Sequence, residues 1–182
     1  ALGALIGKYK NLEEMGYDTF SKCFKTSICP ILDYGSEIWG YSKTQSMDKV
    51  QYKAMRIFLG VNRHAALPFL EGDMGWFSSS LRWKVSMLRY WNRLLNLDQT
   101  RLTYKIFCID YNANGYWCSK IQEILREVEM VDIYTNQLPC DLKVLETRLV
   151  LIYKEEWKRK VQRKPKLRTY FAINQEFQTA HY

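Results

Sequence analysis

Apolar residues recur at helical spacing along almost the whole chain. They fall at every third or fourth position in residues 2–13, 18–32, 47–59, 79–97, 100–111, 117–130 and 139–161. No segment alternates with a period of two residues over a length that would indicate a strand. The pattern therefore predicts an all-α fold, a bundle of about six to seven helices with a long basic C-terminal helix and tail. We place the bundle at 1–140 and the basic helix and tail at 141–182.

Proline and glycine mark where the predicted helices bend or end. Pro30 interrupts an apolar repeat, and because an internal proline removes a helix hydrogen bond we expect a kink or short break there. Glycine is common just past a helix end, so Gly16 and Gly60 are predicted stops, and Pro165 ends the last helix. The predicted N-terminal caps are Asp18 for the second helix and Thr44 or Ser46 for the third.

Residues 60–80 lose the periodicity and mix turn residues with large apolar ones, which predicts a loop packed against the helices. The segment after it has a very broad apolar face. Its remaining stripe is polar and basic, and consists of Arg82, Ser86, Arg89, Arg93 and Asn96. Such a stripe faces either water or nucleic-acid phosphates, and the sequence does not choose between them.

The charge is strongly basic and unevenly distributed. The net charge is +8, and the segment from Lys154 to Arg168 holds eight basic residues against Glu155 and Glu156. So concentrated a field indicates a polyanionic partner, RNA or DNA before membrane lipid. The alternative is an ordinary solvated helix end.

Metal and membrane chemistry are not indicated. The five cysteines include no Cys-x-x-Cys, and neither histidine lies near a cysteine pair, so no zinc site is predicted. No apolar run reaches membrane length, and we expect no membrane partner. Reduced thiols indicate an intracellular protein.

Asp33 and Glu37 are the one pair of carboxylates whose spacing could indicate a metal site or an acid–base pair. Four residues apart on a helix they would share a face, as a magnesium site or an acid–base pair requires. No further acids lie nearby, so a structural role, pairing with a helix arginine, is favoured. Because no phosphate loop or nucleophile elbow occurs either, we predict that the chain itself is not an enzyme.

Several unusual motifs follow one another in a specific order. They are Pro30-Ile-Leu-Asp-Tyr-Gly-Ser-Glu-Ile-Trp39, the helix end Ala54–Arg63, Gly72-Asp-Met-Gly-Trp76, Arg89-Tyr-Trp-Asn-Arg93, Arg101-Leu-Thr103 and Lys166-Leu-Arg-Thr-Tyr170. In this order they resemble the region after the polymerase core in LINE-type (non-LTR) retrotransposon reverse transcriptases. The signature residues of the resemblance are Pro30, Asp33, Tyr34, Gly35, Glu37, Trp39, Gly72, Asp73, Gly75 and Trp76.

The resemblance implies a fragment of a retrotransposon RNA-directed DNA polymerase, namely the helical thumb and linker. The family's palm carries an aspartate pair, and this chain contains no Asp-Asp. We therefore expect no catalytic residue and no cofactor here, with Mg²⁺ confined to the missing palm of the parent enzyme. The expected partners are RNA and DNA, as the template–primer duplex, and the rest of the polymerase chain. The expected location is nuclear, cytoplasmic or both.

Candidate phosphate contacts follow from the basic positions. They are Arg56, Arg63, Arg82, Arg89, Arg93, Lys158, Arg159, Arg163, Lys164, Lys166 and Arg168, with Tyr170 as a stacking candidate beside them. Arg89 and Arg93 have an alternative role, holding Asp33, Glu37 or other acids inside the bundle. The alternative function is a stand-alone helical module that binds another protein.

Overall fold

The computed structural model describes residues 1–11, 15–42 and 45–178, and every regular element in these ranges is helical. The helices are α1 (Leu2–Asn11), α2 (Tyr17–Ser27), α3 (Cys29–Leu32), α4 (Ser36–Trp39), α5 (Gln45–Phe58), α6 (Leu67–Met74), α7 (Ser79–Leu95), α8 (Leu102–Asn112), α9 (Tyr116–Glu127), α10 (Val131–Thr135), α11 (Leu142–Gln162) and α12 (Arg168–Ile173), with a 3₁₀ turn at Pro165–Leu167. The predicted all-α fold is confirmed. The described residues form more helices than the six or seven predicted, because several are too short to show a period in the sequence.

The chain forms two compact units. The terminal unit comprises the described residues of Ala1–Tyr34, Thr44–Ser79 and Tyr153–Tyr182, and the central unit comprises those of Gly35–Lys43 and Ser80–Ile152. These contact-based units do not follow the boundary predicted between residues 140 and 141, which stays a prediction.

An aromatic core holds the first half of the terminal unit together. The predicted repeat Phe20, Phe24, Ile28 and Leu32 is buried throughout. Trp76 stacks on Phe24 with ring centroids 4.6 Å apart, and its Nε1 donates to the hydroxyls of Tyr17 and Ser21, each at 3.2 Å. The indole thus combines a large buried surface with a satisfied polar group.

The break at Pro30 is confirmed. α2 ends at Ser27, and Pro30 occupies the first turn of α3, where its missing N–H is not needed. A second break follows at Gly35, whose φ of +71° is left-handed and favours glycine. Asp33 follows the last residue of α3 and Glu37 lies in α4, so the expectation that they share a helix face is wrong.

The predicted helix starts and stops are confirmed only in part. Gly60, with φ +63°, follows the end of α5 as predicted. Gly16 is extended and immediately precedes α2, so Asp18 lies inside the first turn and is not the cap. Ser46 likewise lies within α5, while Thr44 is outside the described residues.

The loop predicted over residues 60–80 contains a helix, α6, and the prediction is wrong for Leu67–Met74. Pro68 lies in its first turn, and Gly75, with φ +60°, follows its last residue. Proline near the start and glycine just past the end are the usual marks of a helix. The eight residues are too few for their apolar period to be seen.

The central unit is organised on α7, whose predicted existence is confirmed. Trp91 is fully buried, stacks on Tyr134 at 5.5 Å and donates its Nε1 to the carbonyl of Leu138 at 3.1 Å. The Asn92 amide accepts from the backbone N–H of Cys140 at 2.6 Å and donates to its carbonyl at 2.7 Å. These bonds fix the segment that leads into α11. Asp141 caps that helix, accepting from the N–H of Lys143 at 2.9 Å.

Two glycine substitutions test this packing in opposite directions. A Cβ at Gly115 overlaps the Asp110 carboxylate, which accepts the N–H of Cys118 at 3.0 Å. Gly115→Ala should therefore lower the free energy of unfolding by about 1 kcal/mol, through loss of this cap. Gly7→Ala, in open space inside α1, should raise it by about 0.5–1 kcal/mol. Urea unfolding measures both, and a stabilising Gly115→Ala would contradict the structure.

Candidate nucleic-acid interface

The positive charge belongs mainly to the terminal unit. Its three sequence ranges hold sixteen basic and ten acidic residues, whereas those of the central unit hold eleven and nine. The terminal unit thus carries +6 of the net charge of +8. A polyanion is attracted to such a field over distances longer than direct contact.

The basic segment, Lys154–Arg168, supplies half of these basic residues. All eight of its basic side chains are exposed, while Trp157, Val161 and Leu167 are buried in a cluster with Phe177. The exposed basic residues are Lys154, Lys158, Arg159, Lys160, Arg163, Lys164, Lys166 and Arg168. Six of the predicted phosphate contacts are therefore exposed to solvent within this one segment.

Few acids neutralise the basic segment. Glu156 pairs with Lys160 at 3.6 Å, as its i,i+4 spacing predicts, and this pair is exposed and correspondingly weak. Arg159 Nε donates to the backbone carbonyl of Glu155 at 3.4 Å and not to its carboxylate. No other ion pair forms among the described residues of this segment. Most of its charge is left to solvent.

The basic segment is held against α6 by aromatic side chains. Trp157 Nε1 donates to the carbonyl of Pro68 at 2.6 Å, and Tyr170 packs edge-on against Phe69 at 5.1 Å. A Cβ at Gly72 would overlap the Trp157 indole and lie 2.7 Å from the Tyr170 hydroxyl oxygen. Only glycine lets the three helices approach this closely.

Tyr170 thus has an internal packing role. Its ring is half-buried, its hydroxyl accepts from Asn174 Nδ2 at 3.1 Å, and burial raises the pKa of its phenol to about 12. Its contact with a nucleobase stays a prediction.

The remaining predicted contacts lie elsewhere. Arg63 is exposed, with Nε donating to His64 Nε2 at 3.1 Å. Arg56 is half-buried, and its Nε is enclosed without a hydrogen-bond partner among the described residues. Both belong to the terminal unit.

The basic stripe of α7 belongs to the central unit. Arg89 and Arg93 are exposed, and neither forms an ion pair within the part of the chain that the structure describes. Which of the two roles they have, contact with phosphate or pairing with acids, stays a prediction. Arg82 is half-buried.

The signature residues have packing roles where their contacts are known. Trp39 packs edge-on against Trp83 at 4.9 Å, and Trp117 Nε1 donates to the carbonyl of Glu37 at 2.9 Å. Trp76 is buried in the aromatic core described above, whereas Asp73 is half-buried and Pro30 and Tyr34 are exposed.

Sequence reasoning missed a buried acid beside the basic segment. Glu71, only 6% exposed, accepts from the Tyr52 hydroxyl at 2.6 Å and also from Tyr153, the first residue of α11 in the terminal unit. Burial raises the pKa of the Glu71 carboxyl above its usual range, although the tyrosine hydrogen bonds and Lys160 act in the opposite direction. The residue was missed because a lone glutamate in an apparent loop carries no signal of burial.

A surface pocket of about 320 Å³ lies alongside the basic segment. Its charged lining consists of Lys154, Lys158, Glu155 and Glu176. Two bases and two acids give the pocket no preference for an anion, so it adds nothing to the interface.

Among the described residues, no group of three or more histidines, cysteines, aspartates or glutamates is placed to hold a metal ion. None of the described helices is long and apolar enough to cross a membrane.

Comparison with protein-family models, with curated proteins and with solved structures finds no match to this chain.

The pKa of Glu71 predicts a pH dependence of stability. Because the native pKa is raised, this group's contribution is fully present below the unfolded value of 4.5 and is lost as pH rises through the native pKa. Glu71→Gln keeps an acceptor for Tyr52 but cannot ionise. It should be more stable than the wild type above the native pKa, with the advantage shrinking towards pH 4. Urea unfolding across this pH range measures the difference in free energy of unfolding between the variant and the wild type. A difference that does not change with pH would contradict the prediction.

The contact at Gly72 yields a second prediction. Gly72→Ala forces Trp157 and Tyr170 away from α6 and should lower the free energy of unfolding by about 1–3 kcal/mol. Trypsin should then cleave first within the basic segment, as mapped by mass spectrometry. Gly3→Ala, which meets open space, is the matched control and should leave the cleavage pattern unchanged. Equal cleavage of the two variants would show that Gly72 does not hold the segment.

Proposed function

We propose that this chain is a non-catalytic, nucleic-acid-binding region of a retrotransposon RNA-directed DNA polymerase, and that its basic segment binds the sugar–phosphate backbone. The observation that carries the binding proposal is the basic segment itself: eight exposed cations in fifteen residues, with a single ion pair among them. A surface of this kind releases condensed counterions from a nucleic acid when it binds.

The fixed position of the basic segment favours binding. Trp157, Val161 and Leu167 are buried, so the backbone that carries the cations is ordered before any ligand arrives. Less conformational entropy is then lost on association. Lysine and arginine side chains contact phosphates without reading the bases, so we expect affinity for duplexes with little dependence on sequence.

The polymerase part of the proposal rests on the order of the motifs from Pro30 to Tyr170. In a parent polymerase the bound ligand would be the template–primer duplex, with Mg²⁺ held in the palm, and the protein would act in the nucleus, the cytoplasm or both. This chain would supply binding and no chemical step.

A salt titration with two matched variants tests the binding proposal. The variant Lys158→Gln, Arg163→Gln, Lys164→Gln, Arg168→Gln removes four exposed cations of the basic segment. It should lower affinity for a fluorescein-labelled RNA–DNA hybrid and reduce the slope of log K against log salt by about 3–4, since each lost phosphate contact removes about 0.9. Fluorescence anisotropy gives both quantities.

The control removes the same number of exposed cations from the central unit, none of them a predicted phosphate contact: Arg101→Gln, Lys105→Gln, Arg126→Gln and Lys143→Gln. Its slope should change by less than half as much. An equal change in both variants would show that net charge and not the basic segment controls binding. Failure of the wild-type chain to bind at about 50 mM salt would overturn the proposal altogether.

The polymerase assignment has a separate test. The reading frame upstream of Ala1 should encode an aromatic residue followed within two positions by Asp-Asp. An upstream frame without this palm motif would contradict the polymerase assignment. The proposal that the basic segment binds nucleic acid would be unaffected.

A further inference from the structure

The helix on which the basic segment begins also holds a buried carboxyl group, that of Glu71 in α6. This side chain is 6% exposed and accepts from the hydroxyls of Tyr52, at 2.6 Å, and of Tyr153. Tyr153 immediately precedes the basic segment in the sequence. Within the segment, Trp157 donates to the carbonyl of Pro68, which lies one helical turn before Glu71. The basic segment and the buried carboxyl are therefore parts of one packed structure.

Four charged or titratable side chains among the described residues act on the Glu71 carboxyl from the neighbouring helices. Asp48 and Tyr52 belong to α5, and Tyr153 and Lys160 belong to α11. Burial is the largest influence and raises the pKa of the Glu71 carboxyl, and Asp48 adds to it. The hydrogen bonds from the two tyrosines and the charge of Lys160 lower this pKa. Because Lys160 is part of the basic segment, whatever neutralises that segment changes the charge felt by Glu71.

The hydrogen bonds around Glu71 are compatible with either protonation state. The ionised carboxylate accepts from both tyrosine hydroxyls. The Tyr153 hydroxyl itself accepts from the N–H of Ser78 at 3.2 Å, and a hydroxyl oxygen can accept a second hydrogen bond. A protonated Glu71 can therefore donate to Tyr153 while it still accepts from Tyr52. The carboxyl can gain a proton without a rearrangement of the packing around it.

We propose that Glu71 couples nucleic-acid binding to protonation, so that its carboxyl takes up a proton from solvent when a nucleic acid occupies the basic segment. Phosphates on the segment oppose the attraction between Lys160 and the carboxylate, which favours the neutral carboxyl. By linkage, the protein with a protonated Glu71 binds the nucleic acid more tightly. This inference rests on the binding function proposed for the basic segment and adds a regulation to it.

The direction of the pH dependence follows from these charges. Affinity is highest below the pKa that Glu71 has in the free protein, because the carboxyl is then neutral in both states. It falls as pH rises towards the higher pKa of the complex, and it is lowest above both values. Charges separated by a few helix widths near a protein surface interact strongly enough to change affinity by about threefold to tenfold. The matching uptake is about 0.3–0.5 proton per bound duplex, midway between the two pKa values.

The test measures binding of a fluorescein-labelled RNA–DNA hybrid by fluorescence anisotropy, from about pH 5 to about pH 8 at constant ionic strength. The wild-type chain should bind about threefold to tenfold more tightly at the lower end of this range. Glu71→Gln cannot ionise and should bind at every pH about as tightly as the wild type does at low pH. Isothermal titration calorimetry in two buffers of different ionisation enthalpy should show proton uptake by the wild type and none by Glu71→Gln. Circular dichroism confirms that both chains are folded.

Two controls separate Glu71 from other groups. The chain has two histidines, and a histidine also gains positive charge towards low pH. The double variant His64→Gln, His181→Gln should therefore keep the pH dependence that Glu71 causes. Glu155→Gln removes one negative charge from the exposed surface of the basic segment and leaves the buried carboxyl in place. It should raise affinity by a similar factor at every pH and leave the proton uptake unchanged.

A second matched pair of variants tests the role of Lys160. Lys160→Gln and Arg159→Gln each remove one exposed cation of the basic segment, and only Lys160 acts on Glu71. Both should weaken binding of the hybrid, but the proton uptake should fall more in Lys160→Gln. An equal loss of uptake in the two variants would overturn the coupling through Lys160.

The remaining outcomes distinguish this inference from the proposal on which it rests. Failure of the wild type to bind the hybrid at any pH, at about 50 mM salt, would overturn both. Binding whose affinity does not change with pH would overturn the coupling alone. So would a pH dependence that Glu71→Gln retains or that the double histidine variant loses. In these cases the basic segment would still bind nucleic acid.

Discussion

The contact between Trp157 and α6 is the interaction on which the terminal unit's basic surface depends. Eight like charges within fifteen residues repel one another, and nothing in their own chemistry would keep them on an ordered backbone. Burial of the indole, its hydrogen bond to the Pro68 carbonyl and the close approach allowed by Gly72 offset that repulsion. The basic segment is thus ordered by the apolar residues interspersed among its charges.

Long helices could be predicted from the sequence, and short ones could not. α7 and α11 show several turns of apolar periodicity in the sequence. The helix break at Pro30 is also predictable, because the effect of a proline on a helix is local. α6 and α10 have eight and five residues, too few for a period to emerge. The wrong expectation for Asp33 and Glu37 has a different origin. Nothing in the sequence shows that Gly35 adopts a left-handed conformation in place of a helical one.

The candidate site also has features that could be predicted from the sequence and features that could not. A cluster of basic residues is visible in the sequence because charge is additive, so the exposed surface of the basic segment could be anticipated. Burial cannot be read in this way. Glu71 and Tyr170 are polar residues whose internal contacts arise from what packs over them, and neither contact has a signal in the sequence. α8 shows the reverse error, because Leu102, Ile106 and Ile109 have the spacing of a core face and lie instead in solvent.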